Sequence, residues 1–151
     1  KTGYFPYTPS TNLLYGLSEA CDMVLGHGLP AVFARHRRWA EGVRAGVRAW
    51  GLEIQCQDPA VYSPVLTGVM TPRGLDADAV RKLIHSRFDC SLGTGLGKVK
   101  GRMFRIGHLG FVCDRDVLTA VAAIEATVQG LGLAKAPTGS GVAAAAAELA
   151  K

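Results

Sequence analysis

Arg105 stands in the run Lys100-Gly-Arg-Met-Phe-Arg-Ile-Gly-His-Leu-Gly110, an apolar, β-prone stretch punctuated by glycines. A strand alternates its faces. If Phe104 and Ile106 face a core, then Met103, Arg105 and Gly107 face the other way. A guanidinium so placed can grip a carboxylate, because its planar fork makes two parallel charge-assisted hydrogen bonds and never loses its charge. Glycines at the end of the strand allow close backbone approach. The same pattern also fits a strand arginine turned to solvent, and residue types alone leave both readings open.

Other candidate motifs are weaker. Gly93-Thr94-Gly95-Leu96-Gly97-Lys98 resembles a phosphate-binding loop but has three residues before Gly-Lys and Val99 after it, where a P-loop needs four and then Ser or Thr. A dinucleotide fingerprint needs a helix after the glycines, whereas a strand is predicted here. The loop reads as a flexible turn beside a site, with Gly95 and Gly97 as structural neighbours. His108, three residues beyond Arg105, suits packing better than acid–base work. The four cysteines, at 21, 56, 90 and 113, form no C-x-x-C pair, and no histidines stand at metal spacing. They are expected to be free, buried thiols in a reducing compartment, which points to the cytoplasm and to no metal.

A chain of 151 residues suits one domain with its own core. It opens on Lys1 without an initiator methionine or a leader pattern, so it is expected to start inside a longer chain. No apolar run reaches the ~18–20 residues that cross a membrane, and neither a membrane nor a nucleic acid is expected as partner. The formal charge of +5 gathers on one predicted helix, at Arg35, Arg37, Arg38, Arg44 and Arg48. Without interleaved aromatics it reads as a solvated helix face, with an acidic partner surface as the other reading.

The elements that must position Arg105 follow from periodicity and punctuation. Residues 1–10 read as extended, since Pro6 and Pro9 exclude a regular helix. A helix capped by Ser10, Thr11 or Asn12 carries Leu13, Leu17, Ala20 and Val24 at helical spacing up to Gly26 and Gly28. A second runs from Pro30 to Trp50 with His36, Trp39, Val43, Val47 and Trp50 inward, His36 as a packing residue. Strands are predicted at 52–57, 64–71, 90–92 and 102–107, with helices from Asp76 or Asp78 to Phe88 and from an Asp114 cap to Gly130. This order predicts an α+β domain: an antiparallel or mixed sheet of three or four strands with helices on one face. The expected division is an opening segment and linking helix over 1–28, a small domain over 29–133 and a disordered tail over 134–151.

Three segments carry a family resemblance in register: YFPYTPSTNLLYGL at 4–17, DPAVYSPVLTGVMTP at 58–72 and SLGTGLGKVKGRMFRIGHLG at 91–110. Together they resemble the C-terminal part of class V pyridoxal-phosphate aminotransferases, and within them the serine–glyoxylate and alanine–glyoxylate enzymes. The resemblance covers roughly residues 3–133. It implies the small C-terminal domain of a fold-type I enzyme that uses pyridoxal 5'-phosphate. Arg105 would then bind the substrate α-carboxylate, and Thr8 would reach the cofactor phosphate of the other subunit of a homodimer. Where alanine–glyoxylate members have a tyrosine three residues before that threonine, this chain has Phe5, flanked by Tyr4 and Tyr7.

The implied reaction moves an amino group from serine or alanine to glyoxylate, with small amino acids and 2-oxo acids as substrates. The family's Schiff-base lysine and large domain lie upstream of anything matched here. The six lysines, at 1, 82, 98, 100, 135 and 151, are predicted in exposed segments, and no catalytic residue is assigned. This stretch alone is therefore expected to be inactive. Two alternatives stay open: a stand-alone α+β protein-binding module with a basic helix, and another class V enzyme such as a cysteine desulfurase, which would need a reactive cysteine on a mobile loop.

Overall fold

The computed structural model describes residues 3–151, so Lys1 lies outside the described residues. The chain divides between Ala34 and Arg35 into two compact units, inside the second helix and not at the expected 28/29 boundary. In the first unit, residues 3–10 carry neither helix nor strand. Helix α1 follows at Thr11–His27, with Ser10 extended before it and Gly28 at φ 79° after it. None of its residues is buried. Leu13 and Leu17, which periodicity marks as one stripe with Ala20 and Val24, are 74% and 60% exposed.

Helix α2, Leu29–Ala49, begins in the first unit and continues into the second. Its stripe of His36, Trp39, Val43 and Val47, with Trp50 just beyond, is buried as its spacing predicts. Gly51, at φ 74°, takes the left-handed turn that ends the run. The second unit then lays down β1 (Glu53–Ile54), β2 (Leu66–Met70), α3 (Ala77–Phe88), β3 (Gly93–Thr94), β4 (Met103–Gly107), α4 (Asp114–Gly130) and α5 (Ser140–Leu149).

The four strands form an antiparallel sheet in the order β1-β2-β4-β3. This is the α+β architecture expected, although the first and third strands are shorter than predicted and β3 lies at Gly93–Thr94, not at 90–92. Alternation sorts the faces. Val69, Phe104 and Ile106 join Val80 and Ile84 of α3 and Val121, Ile124 and Val128 of α4 in one core. Burying each such side chain contributes about 1.5–3 kcal/mol. Gly68, Met103 and Arg105 occupy the alternate positions and face away from α3 and α4.

Two expectations are corrected. Residue 113, not Asp114, precedes α4, and the Cys113 N–H donates to the Asp116 carboxylate at 2.8 Å. Asp114 instead accepts both terminal nitrogens of Arg38, at 2.8 and 2.9 Å, and the Trp39 indole N–H at 2.8 Å, tying α4 to α2. The expected tail over 134–151 is also no tail, because Ser140–Leu149 forms α5 with Ala145 and Leu149 buried. The cause is Glu125 of α4, 2% exposed, whose carboxylate accepts the N–H groups of Gly139, Gly141 and Val142 at 2.9–3.1 Å. Carboxyl oxygens at a helix N-terminus satisfy donors that would otherwise be orphaned. Gly141 lies against the Trp50 indole, where a Cβ would not fit.

The thiols are all free, but none is buried: Cys21 and Cys113 are exposed, and Cys56 and Cys90 half-buried. No helix among the described residues is long and apolar enough to cross a membrane.

Candidate functional site

The sheet register sets Arg105 between two glycines, Gly68 on β2 and Gly93 on β3. A side chain at Gly93 would crowd Arg105, since a Cβ would stand 3.1 Å from both its Cβ and its Nε. At Gly68 a Cβ would stand 2.9 Å from Met103 Sδ. The Arg105 side chain thus lies across β3, where its Nε donates to the Thr94 carbonyl at 2.8 Å. Its terminal nitrogens have no hydrogen-bond or ion-pair partner among the described residues. The fork is therefore held at its base and open at its tip, the state in which a planar carboxylate can dock on it.

Beside Arg105 a cleft of about 180 Å³ opens, lined also by Met103, Gly68, Gln55, Cys56 and Tyr62, with Arg44 at its other side. Arg44 is 4% exposed. Its terminal nitrogens donate to the Ser63 carbonyl at 3.1 Å and to Glu41 at 2.6 Å, and its guanidinium lies 4.8 Å from the Tyr62 ring centre. The Arg44 and Arg48 guanidiniums hold the Glu41 carboxyl below its ordinary value, against the opposing effect of burial. Of the five helix arginines expected on a solvated face, Arg44 is buried and Arg38 is spent on Asp114. That corrects the solvated reading and leaves less charge for an acidic partner.

His108 is 2% exposed and closes the end of β4 against β2. Its Nδ1 faces the Pro64 carbonyl at 3.1 Å and its Nε2 the Thr67 hydroxyl at 3.0 Å. A carbonyl can only accept, so Nδ1 carries the proton and Nε2 accepts from Thr67. Burial, with smaller contributions from the Arg44 and His36 charges, pushes the His108 pKa down to about 4, so the ring is neutral near pH 7. This is a framework residue. His36 plays a similar part, accepting the Gly110 N–H at 3.3 Å and standing edge-on to Trp39.

The glycine loop has a structural reason of its own. The Gly95 N–H donates to Met103 O at 2.9 Å, and a Cβ on Gly95 would collide with the Val99 carbonyl. Thr8 belongs to the first unit, where it is exposed in a segment without regular structure. Phe5, likewise exposed, offers no hydroxyl. Sequence reasoning singled out Arg105 but missed Gly68, Gly93 and Arg44. An isolated glycine within the strand Leu-Thr-Gly-Val-Met was the available signal for Gly68.

No protein-family model matches the chain. Over 148 residues it is 45% identical to the L-aspartate–glyoxylate aminotransferase of Paracoccus denitrificans, covering 95% of this chain and 37% of that protein. Over 144 residues it is 44% identical to the serine–glyoxylate aminotransferase of Hyphomicrobium methylovorum, covering 95% and 35% respectively. The crystal structure of pyridoxamine–pyruvate aminotransferase from Mesorhizobium loti superposes with a TM-score of 0.89 at 35% identity, covering 99% of this chain and 38% of that one. In fold and in sequence the chain matches a domain of aminotransferases. More particularly, the chain is similar to a C-terminal part of class V aminotransferases, spanning little more than a third of the length of these relatives.

Proposed function

We propose that this chain is the C-terminal domain of a pyridoxal-phosphate transaminase that passes an amino group from a small amino acid, serine or alanine, to glyoxylate. The observation that carries this reading is the open fork of Arg105, fixed at Nε by Thr94 and unpaired at its tip. The three relatives differ in donor by name, aspartate, serine or pyridoxamine, yet each takes a 2-oxo acid, glyoxylate or pyruvate. What an amino-acid donor, though not pyridoxamine, shares with a 2-oxo-acid acceptor is a carboxylate, and one guanidinium can hold each in turn. Arg105 binds and orients; it does not move the proton.

Pyridoxal phosphate, when bound, supplies the electron sink. The residues fit it in part. Thr8 carries an exposed hydroxyl able to donate to a phosphate oxygen, whereas Phe5 offers none. No lysine lines the Arg105 cleft, and the five described lysines are exposed, so the cofactor's lysine and most of its contacts belong to other parts of the parent enzyme. This domain alone is accordingly inactive. Exposed Tyr4, Phe5, Tyr7, Leu13 and Leu17 in the first unit support a partner surface there, in keeping with a homodimer of the parent chain in the cytoplasm. The basic-module reading is disfavoured by the internal pairing of Arg38 and Arg44, and a desulfurase reading gains nothing from Cys90, half-buried and with a thiol pKa raised by burial.

The test is Arg105→Ala in the full-length enzyme, with activity and cofactor retention measured together. Loss of turnover with cofactor retained supports the reading, and wild-type kinetics remove it.

A further inference from the structure

Arg105 is held by a strand with little hold of its own. β3 has only two residues, lies at the sheet edge and pairs with β4 alone, Gly93 opposite Arg105 and Thr94 opposite Phe104. Short edge pairings are marginal by themselves. Its support comes from α3. The Thr94 side chain points away from the Arg105 face and donates from Oγ1 to Asp78 Oδ1 at 2.8 Å. Arg81 donates from Nε to that same carboxylate oxygen at 3.2 Å and from a terminal nitrogen to Leu92 O at 2.8 Å. So α3 grips the chain at β3 and again one residue before it. The start of α3 is anchored in turn, since the Ala77 N–H donates to Gly101 O at 2.9 Å and the Asp76 carboxylate accepts the Asp78 N–H at 2.9 Å.

We infer that the Thr94 hydroxyl and Asp78 are positioning residues for substrate carboxylate binding, fixing β3 so that the Thr94 carbonyl aims the Arg105 fork. The inference rests on the reading of Arg105 as the carboxylate anchor. A bidentate contact tolerates only about 10–20° of misalignment, so the direction of the fork is part of its affinity. Both groups of Thr94 serve one end: the hydroxyl faces α3 and the carbonyl faces Arg105. The Thr94 hydroxyl and the Arg81 guanidinium hold the Asp78 carboxyl below its ordinary value, so it is ionised and a strong acceptor near pH 7. Without Asp78, the hydroxyl's remaining acceptor is Gly95 O at 3.3 Å, on its own strand end, which anchors nothing to the helix.

The experiment compares Thr94→Val, Thr94→Ser and Arg105→Lys in the full-length enzyme, reading KM and kcat for glyoxylate and the amino donor. Calorimetric binding of glycolate, a carboxylate with no carbonyl to receive an amino group, supplies a readout independent of turnover. Thr94→Val is expected to raise both KM values and weaken glycolate roughly three- to tenfold, the order of one hydrogen bond, with kcat within about twofold. Thr94→Ser, which keeps the hydroxyl, is expected to restore wild-type values. Wild-type KM and glycolate affinity in Thr94→Val, beside raised KM in Arg105→Lys, would overturn the positioning role and leave the anchor reading standing. Wild-type KM in Arg105→Lys would overturn both. If Thr94→Val does not fold, Asp78→Asn takes its place, with a rise of about two- to fivefold expected from the weakened acceptor and an unchanged KM overturning the inference.

Discussion

Two arginines line the same cleft and are built in opposite ways. Arg44 is held at its tip: both terminal nitrogens are bonded, to Ser63 and Glu41, and the guanidinium packs on Tyr62. Arg105 is held at its base, through Nε alone, and its tip is unpaired. The first arrangement joins α2 to the loop before β2 and takes both terminal nitrogens for the protein's own bonds. The second fixes direction without using the donors that recognise a carboxylate. An arginine free to take a ligand is thus marked less by exposure than by which of its nitrogens the protein itself takes.

Four changes would break or sharpen that contrast, beginning with the largest effect. Arg105→Ala in the full-length enzyme should lower kcat/KM by roughly thirty- to several-thousand-fold, the cost of losing a charge-assisted pair in a water-poor site. Stability should move by only about 0.5 kcal/mol, and cofactor retention should persist. Arg44→Ala should do the reverse. Chemical denaturation should show a loss of about 2–3 kcal/mol, from the bond to Glu41 and the stacking on Tyr62, while KM for glyoxylate stays within about threefold. A large KM effect with intact stability would erase the distinction between the two arginines.

His108 tests the framework that carries both. Its folded pKa of about 4 lies below the ordinary 6.5, so the unfolded chain takes up the proton first as pH falls. Stability present above about pH 6.5 should therefore drain away toward pH 4, by up to about 3 kcal/mol. His108→Gln should flatten that slope, and an unchanged slope would mean that other groups control the acid limb. The smallest effect concerns the first unit. Thr8→Val should weaken cofactor retention roughly ten- to a hundredfold, the worth of one hydrogen bond to a charged group, about 1.5–3 kcal/mol. Unchanged retention would take Thr8 out of the cofactor site.

Much of the fold was legible because its signals are local. The α2 stripe from His36 to Trp50, the span of α4 and the alternation around Arg105 all follow from side-chain period alone. What was not legible depends on partners distant in sequence. Periodicity marks the stripe of α1 but not what meets it, and in this chain none of it is buried. The helix α5 is hidden in Ala and Gly because its stability comes from Glu125, 14 to 17 residues earlier, and from close packing that small residues permit. The site divides in the same way. Arg105 stands out by type and setting, whereas the group that aims it is a backbone carbonyl, which every residue possesses and no sequence pattern flags. Arg44 looked like surface charge because composition cannot report that Tyr62 and Glu41 enclose it.

The most direct test of the central claim, that Arg105 grips the carboxylate common to both substrates, is KM for donor and glyoxylate in Arg105→Lys. An ammonium keeps the charge but cannot form the bidentate fork. Both KM values are expected to rise together, by about tenfold or more, with cofactor retention unchanged. Wild-type values for both substrates would contradict it and return Arg105 to the role of a strand arginine facing solvent.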